Sequence, residues 1–143
     1  MHMLAFRYII AIATLLSACA QIGSISGGPK DVTPPRIVSC TPNDGQKMVN
    51  ADGMKIEFDE FVKLQKPNDN IILLPANIDY EYALKGKILE INFQEPLKEN
   101  TTYSLYLNGA VQDITEGNDS LIQVVFSTGN EIDDNEAYFM IFD

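Results

Sequence analysis

An all-β fold, an antiparallel sandwich of about seven short strands, is what this sequence predicts, and three observations predict it. Apolar residues recur at every second position in several short segments, and turn-forming residues separate those segments at sandwich-like spacing. No amphipathic stretch of ordinary helical length occurs. The alternation also leaves one face of each strand polar, which suits antiparallel sheets with one wet face apiece.

The chain nevertheless opens on something other than a strand. Arg7 is followed by the apolar run Tyr8 to Leu16, and Gln21 onward brings Gly, Ser, Pro and Lys. A basic start and a short apolar core form a signal peptide, whereas a membrane-spanning helix needs about 20 apolar residues. Leu16-Ser17-Ala18-Cys19 resembles the lipobox of bacterial lipoproteins. In such proteins the thiol receives a diacylglycerol and the chain is cut before the cysteine, which makes Cys19 the lipidation site. A plain secretory cleavage after Ala18 and an uncleaved anchor are the alternatives. The organisation expected is a signal peptide over 1–18, a lipid-anchored flexible linker over 19–35, the sandwich over 36–129, and a tail over 130–143. Residues 20–35, rich in Gly, Ser and Pro without apolar period, read as a tether that stiffens at Pro34-Pro35.

Strand signals then follow in order. Arg36 to Thr41 is the first, with Cys40 in phase with Val38 and read as a buried structural thiol. Met54 to Asp59 alternates apolar and charged residues, and Asn70 to Leu74 is a further candidate. Ile78, Tyr80, Tyr82 and Leu84 share one face, and Leu89, Ile91 and Phe93 repeat the pattern after Lys85-Gly86-Lys87, a tight hairpin turn. Thr102 to Leu107 and Leu121 to Ser127 complete the set. Tyr103, opening a strand straight after a turn, suits a tyrosine corner, in which its phenol oxygen bonds back to the preceding connection. Asp113 to Asn118 is a polar turn between the last two strands, with Asp113, Gly117 and Asn118 as its structural residues.

Composition limits the chemistry. Removing residues 1–18 takes away Arg7 and no acid, so the formal charge goes from −10 to −11. Nucleic acid is a poor partner for such a chain, because phosphate binding draws on clustered Lys and Arg. The only histidine, His2, lies in the signal segment, so histidine-based acid–base catalysis and His-ligated metals are absent from the mature protein. With Cys19 committed to lipid, Cys40 has no disulfide partner. No catalytic residue, metal site or cofactor is predicted. Two carboxylate readings were weighed against that: an acid pair at Glu57 and Asp59 for glycoside hydrolysis, and calcium at Asp113, Glu116 and Asp119. A solvated strand face and a capped turn are the better accounts.

The segments PPRIVSCTPNDGQ, IEFDEFVKL, EPLKENTTYSLYL, VQDITEGND and VVFSTGNEID together resemble the bacterial Ig-like domain of the SbsA type. The likeness is to the version at the N-terminus of Bacteroidetes lipoproteins, where a lipobox precedes a linker like Gly27-Gly28-Pro29-Lys30-Asp31. The resemblance implies an Ig-like β-sandwich without catalytic residues, serving as a structural, spacer or protein-interaction module of the cell envelope. A carbohydrate-binding accessory is the alternative, with a glycan stacked on exposed Tyr80, Tyr82 or Tyr106. The partners it implies are the membrane, through lipid on Cys19, and an envelope protein of unknown identity. Ala20 to Ser24 lacks the acidic cluster resembling a surface-export signal, which favours an outer-membrane anchor facing the periplasm, with surface display left open. Relatives usually continue past the FSTG segment, so Glu136 to Phe142 reads as the opening strand of a missing domain, and the chain as a shortened or truncated relative.

Overall fold

The computed structural model describes residues 32–133 together with Gly28. The expected signal peptide, Cys19, most of the expected linker and the Glu136 to Phe142 segment lie outside the described residues. All described strands belong to one compact unit, Asp31–Asp143.

Among the described residues that unit holds eight strands and one helical turn: β1 (Ile37–Thr41), β2 (Gly53–Phe58), β3 (Val62–Leu64), α1 (Pro67–Asn70), β4 (Ile71–Leu74), β5 (Tyr80–Lys85), β6 (Ile88–Phe93), β7 (Thr102–Asp113) and β8 (Asp119–Ser127). They make two antiparallel sheets. One runs β1-β2-β6-β5; in the other, β7 pairs with β3 and β4, and also with β8. The fold is therefore the all-β sandwich expected, with one strand more than the seven read from the sequence.

The alternating pattern works as it should where nothing interrupts it. Met54, Ile56 and Phe58 of β2 and Leu89 and Ile91 of β6 point into the sandwich. They meet Leu105 and Leu107 of β7 and Val124 and Phe126 of β8 from the other sheet. Between β5 and β6 the two-residue loop Gly86-Lys87 has Gly86 at φ 65°. A positive φ at the first loop position is what a tight type II′ hairpin needs, and glycine meets it without steric cost. At Gly53, opposite Asn92, a Cβ would collide with the Ile91 carbonyl, so close backbone approach excludes any side chain there.

Three departures from the sequence reading arise where the period of two is broken or too short to show. In β1 the register slips between Ile37 and Ser39, leaving Val38 as an extra, outward residue at 64% exposure. Ile37 and Cys40 consequently face the core while Val38 does not, so Cys40 is not in phase with Val38 and is half-buried rather than buried. The second departure is β7, which runs on past Leu107 to Asp113. Its pairing with β8 is irregular between Asn108 and Gln112, with Gly109 at φ 64°. Asn-Gly, a common hairpin turn, here makes a bulge that bends a continuing strand. The third is β3, three residues long and paired with the end of β7, too short for any alternation to be read.

An unprotected edge on β8 would invite pairing with another chain. The connection from β1 to β2 covers it. Gly45 N–H donates to Val125 O at 2.7 Å, Ser127 N–H to Gln46 O at 2.9 Å and Val49 N–H to Ser127 O at 3.0 Å, while Asp44 Oδ1 accepts from Val125 N–H at 2.8 Å. The same hydrogen bonds tie the first sheet's loop to the second sheet.

The slipped register of β1 has a measurable consequence. Ile56→Ala, at a site with no exposed surface, is expected to cost about 2–5 kcal/mol of unfolding free energy. Val38→Ala should stay within about 0.5 kcal/mol. Urea denaturation of both variants measures the difference; a large loss at Val38 would mean that β1 is not bulged.

Candidate functional site

β7 spans the second sheet, and each of its ends is held by a side chain of its own. At its start Tyr103 is fully buried and stacks on Phe126, the residue opposite it, with ring centroids 5.5 Å apart and planes 18° apart. Its phenol oxygen accepts a hydrogen bond from Lys98 N–H at 3.0 Å. This is the geometry of a tyrosine corner. Thr128 completes it: its Oγ1 donates to Lys98 O at 2.7 Å and accepts from Thr101 N–H at 2.9 Å. Asn100, between them, sits at φ 50°. Thr128 was not singled out by the sequence reading, and its only signal was membership of the FSTG segment.

At the other end Asp113 is 2% exposed, yet among the described residues its carboxylate forms no ion pair. Its acceptors are taken by the turn that follows. Glu116 N–H donates to Oδ1 at 2.5 Å, Gly117 N–H to Oδ1 at 3.1 Å and Asn118 N–H to Oδ2 at 2.9 Å. Asp113 N–H donates in return to Asn118 O at 3.1 Å, and Gly117 turns the chain at φ 76°. Asn118 Nδ2 reaches Thr33 O at 3.4 Å, fastening the entering chain to the turn. Desolvation acts to raise the Asp113 pKa. The backbone N–H groups of Glu116, Asn118, Gly117 and Thr115 more than offset it and hold the carboxyl below the ordinary aspartate value.

That arrangement bears on the carboxylate chemistries weighed from the sequence. Both Asp113 oxygens point at backbone donors, so they serve the turn rather than a cation. Asp119 Oδ2 accepts from Gln112 Nε2 at 3.2 Å. Among the described residues no group of three or more His, Cys, Asp or Glu side chains could hold a metal ion. Glu57 accepts from Ser39 Oγ at 3.1 Å, while Asp59 lies beyond the end of β2 and accepts from Arg36 N–H at 2.9 Å. Glu57 and Asp59 are thus held by different partners.

The tyrosines that a glycan platform would need are also engaged. Tyr80 OH donates to Ile71 O at 2.7 Å and Tyr82 OH to Asn68 Oδ1 at 2.7 Å, with both rings packed against the core. Tyr106 is 6% exposed, and its phenol accepts from Gln123 Nε2 at 3.0 Å. An open groove of about 380 Å³ lies between the end of β4 and the start of β7, lined by Leu74, Pro75, Thr102, Ser104, Tyr106 and Asp133. Cys40 offers no nucleophile. Its Sγ donates to Pro42 O at 3.1 Å, and burial, with the Asp44 carboxylate adding to it, pushes the thiol up to about 11. The thiol is therefore protonated at neutral pH.

Residues 31–128 match the family described as the bacterial Ig-like domain. Among solved structures, the N-terminal part of the bacterial S-layer protein SbsC is similar at 11% identity and a TM-score of 0.48, over 70% of this chain and 24% of that one. An L,D-transpeptidase from Mycobacterium smegmatis is similar at 16% identity and a TM-score of 0.44, over 68% and 41%. L,D-transpeptidase 3 from Mycobacterium tuberculosis follows at 16% and 0.41, over 65% and 37%. The chain spans less than half the length of each, and similarity at this level bears on neither reaction nor ligand. No curated protein matches the chain.

The Asp113 turn carries a pH dependence whose sign follows from the lowered pKa. A carboxyl with a lower pKa folded than unfolded stabilises the fold fully above the unfolded value, and that contribution disappears as pH falls through the folded one. Thermal unfolding of the intact chain should show the midpoint falling as pH drops below about 4. In Asp113→Asn the neutral-pH midpoint should be lower and that acid limb flatter. An unchanged acid limb would remove Asp113 as its source.

Proposed function

Since the chain belongs to the bacterial Ig-like domain family, we propose that it is a non-enzymatic, lipid-anchored module of the bacterial cell envelope. In this reading the sandwich acts as a spacer or protein-interaction domain, held by acyl chains on Cys19. The observation that carries the non-enzymatic part is the commitment of the sandwich's carboxylates. Asp113, the one buried acid among the described residues, is used up by backbone donors, and Glu57 and Asp59 are engaged separately. An acid pair works only when two carboxylates face one substrate, and Glu57 and Asp59 are held by different partners, Ser39 and Arg36.

The anchoring part rests on sequence. Tyr8 to Leu16 followed by Leu16-Ser17-Ala18-Cys19 supplies the apolar core, the small residues and the cysteine that lipoprotein processing uses. Acyl chains each contribute about 0.8 kcal/mol per buried methylene, and two or more anchor stably where one does not. A diacylglyceryl cysteine therefore suffices without a transmembrane helix. The likeness to Bacteroidetes lipoproteins whose lipobox is succeeded by a GGPKD-type linker supports a Bacteroidetes source, and the lack of an acidic cluster in Ala20 to Ser24 supports outer-membrane placement facing the periplasm over surface display.

The glycan-binding alternative gains no support from the aromatic side chains. Stacking on a sugar needs an exposed ring face, whereas Tyr80 and Tyr82 pack on the core and Tyr106 is buried.

Mass spectrometry of the protein extracted by detergent from its native membrane tests this reading. The expected mass is that of Cys19 to Asp143 plus a diacylglyceryl group, with or without a third acyl chain, and Cys19→Ser should shift the protein from the membrane to the soluble fraction. A processed but unmodified chain, or a Cys19→Ser protein that remains membrane-bound, would contradict it.

A further inference from the structure

We infer that the pole of the sandwich at which the chain enters rests on the lipid surface, with Phe61 and Ile114 as its apolar contacts. The inference deepens the proposed lipid anchoring and rests on it.

The topology defines two poles. The start of β1, the end of β2, the Gly86-Lys87 turn and the Asp113 turn gather at one; the chain leaves β8 at the other. Phe61 and Ile114 are 61% and 54% exposed, and the register that pairs Val62 with Asp113 sets them side by side at the end of that ladder. Val32, 77% exposed, joins them, because Thr33 is bonded to Asn118 of the same turn. Large apolar side chains gathered at one end of a domain mark an interaction surface more than scattered ones do. At the opposite pole Met48 is the only large apolar side chain so exposed among the described residues.

Charge separates the poles in the same sense. Arg36, Lys63, Lys85 and Lys87 stand at the entry pole against Asp59, Glu60, Asp113, Glu116 and Asp119, with Lys85 paired to Glu90, which leaves this pole close to neutral. The far pole carries Asp44, Asp52, Asp79, Glu95, Glu99 and Glu131 against Lys47 and Lys98. An anionic lipid surface repels the far pole and tolerates the near one. The lysines are placed to help: Lys87 Nζ lies 5.4 Å from the centre of the Phe61 ring, and Lys63 Nζ stands beside Gly117. A phenyl ring flanked by lysine is the combination that sits at a membrane interface, with the ring among the acyl boundary and the ammonium among headgroups.

Chain length makes the contact reachable. Val32 lies thirteen positions after Cys19, which limits the tether to about 45 Å even when fully extended. The tether thus joins the sandwich at the entry pole, which puts that pole within reach of a lipid on Cys19.

The chain contains no tryptophan, so a single one reports its own surroundings. Full-length, lipid-modified Phe61→Trp and Met48→Trp proteins would each be reconstituted into phosphatidylethanolamine–phosphatidylglycerol vesicles whose acyl chains carry bromine, a short-range quencher. The Phe61→Trp emission should shift to the blue and fall about twofold or more, as insertion to the acyl boundary implies. The Met48→Trp emission should match that in unbrominated vesicles. Protein that sediments with vesicles while Phe61→Trp stays unquenched, or is quenched no more than Met48→Trp, overturns the docking and leaves the anchor standing. Protein that remains in solution overturns both.

Discussion

Every strand of the second sheet is registered on β7, and β7 is long enough to do this only because both of its ends are fastened. Thr102 to Asp113 pairs with β4, β3 and β8. Strands β3 and β4 share one flank in tandem, so a shift of β7 by one residue would move Leu105 and Leu107 out of the core and displace three partners together. Tyr103 at one end and Asp113 at the other oppose such a shift. One is bonded to Lys98 N–H and stacked on Phe126, and the other is bonded to the three N–H groups of its turn. Between them the bulge at Gly109 bends the strand without ending it.

Fastening by polar side chains has a chemical consequence. Aspartate and tyrosine are groups that could take part in catalysis or ligand binding, but here their lone pairs are directed at backbone donors of the adjoining turns. The same use recurs at Asp44, which caps Val125 N–H on the covered edge of β8. The outcome is a sandwich with closed connections at both ends, which suits a module that transmits position and presents surfaces. The membership of residues 31–128 in the bacterial Ig-like family agrees with that role.

What could be read in the sequence and what could not follows from range. The β5–β6 hairpin was legible because its alternation is unbroken and its turn is local, with Gly86 supplying the required φ. Asp113, Gly117 and Asn118 were legible as a turn for the same reason. What the carboxylate bonds to was not, since Asp and Asn in a polar loop suit capping and cation binding alike. Val38 was misplaced because a one-residue slip in pairing is a property of two strands, and the sequence of β1 alone contains no trace of it. The strand read as Thr102 to Leu107 runs on to Asp113, because β8 opposite it supplies a further partner beyond the bend at Gly109. Thr128 was invisible as a clasp on Lys98 and Thr101, about thirty residues earlier in the chain, until the fold had brought them together.

The central claim, that β7 is locked at both ends by Tyr103 and Asp113, is open to a direct measurement: native-state hydrogen exchange of the amides those side chains accept from. Loop amides normally exchange through local fluctuations far cheaper than unfolding. Here the amides of Lys98, Glu116, Gly117 and Asn118 are predicted to exchange as slowly as those of Leu105 and Leu107 in the middle of the strand, and to speed up with denaturant at the same slope. Exchange of these turn amides at the fast rate of unprotected loops, independent of denaturant, would contradict the account.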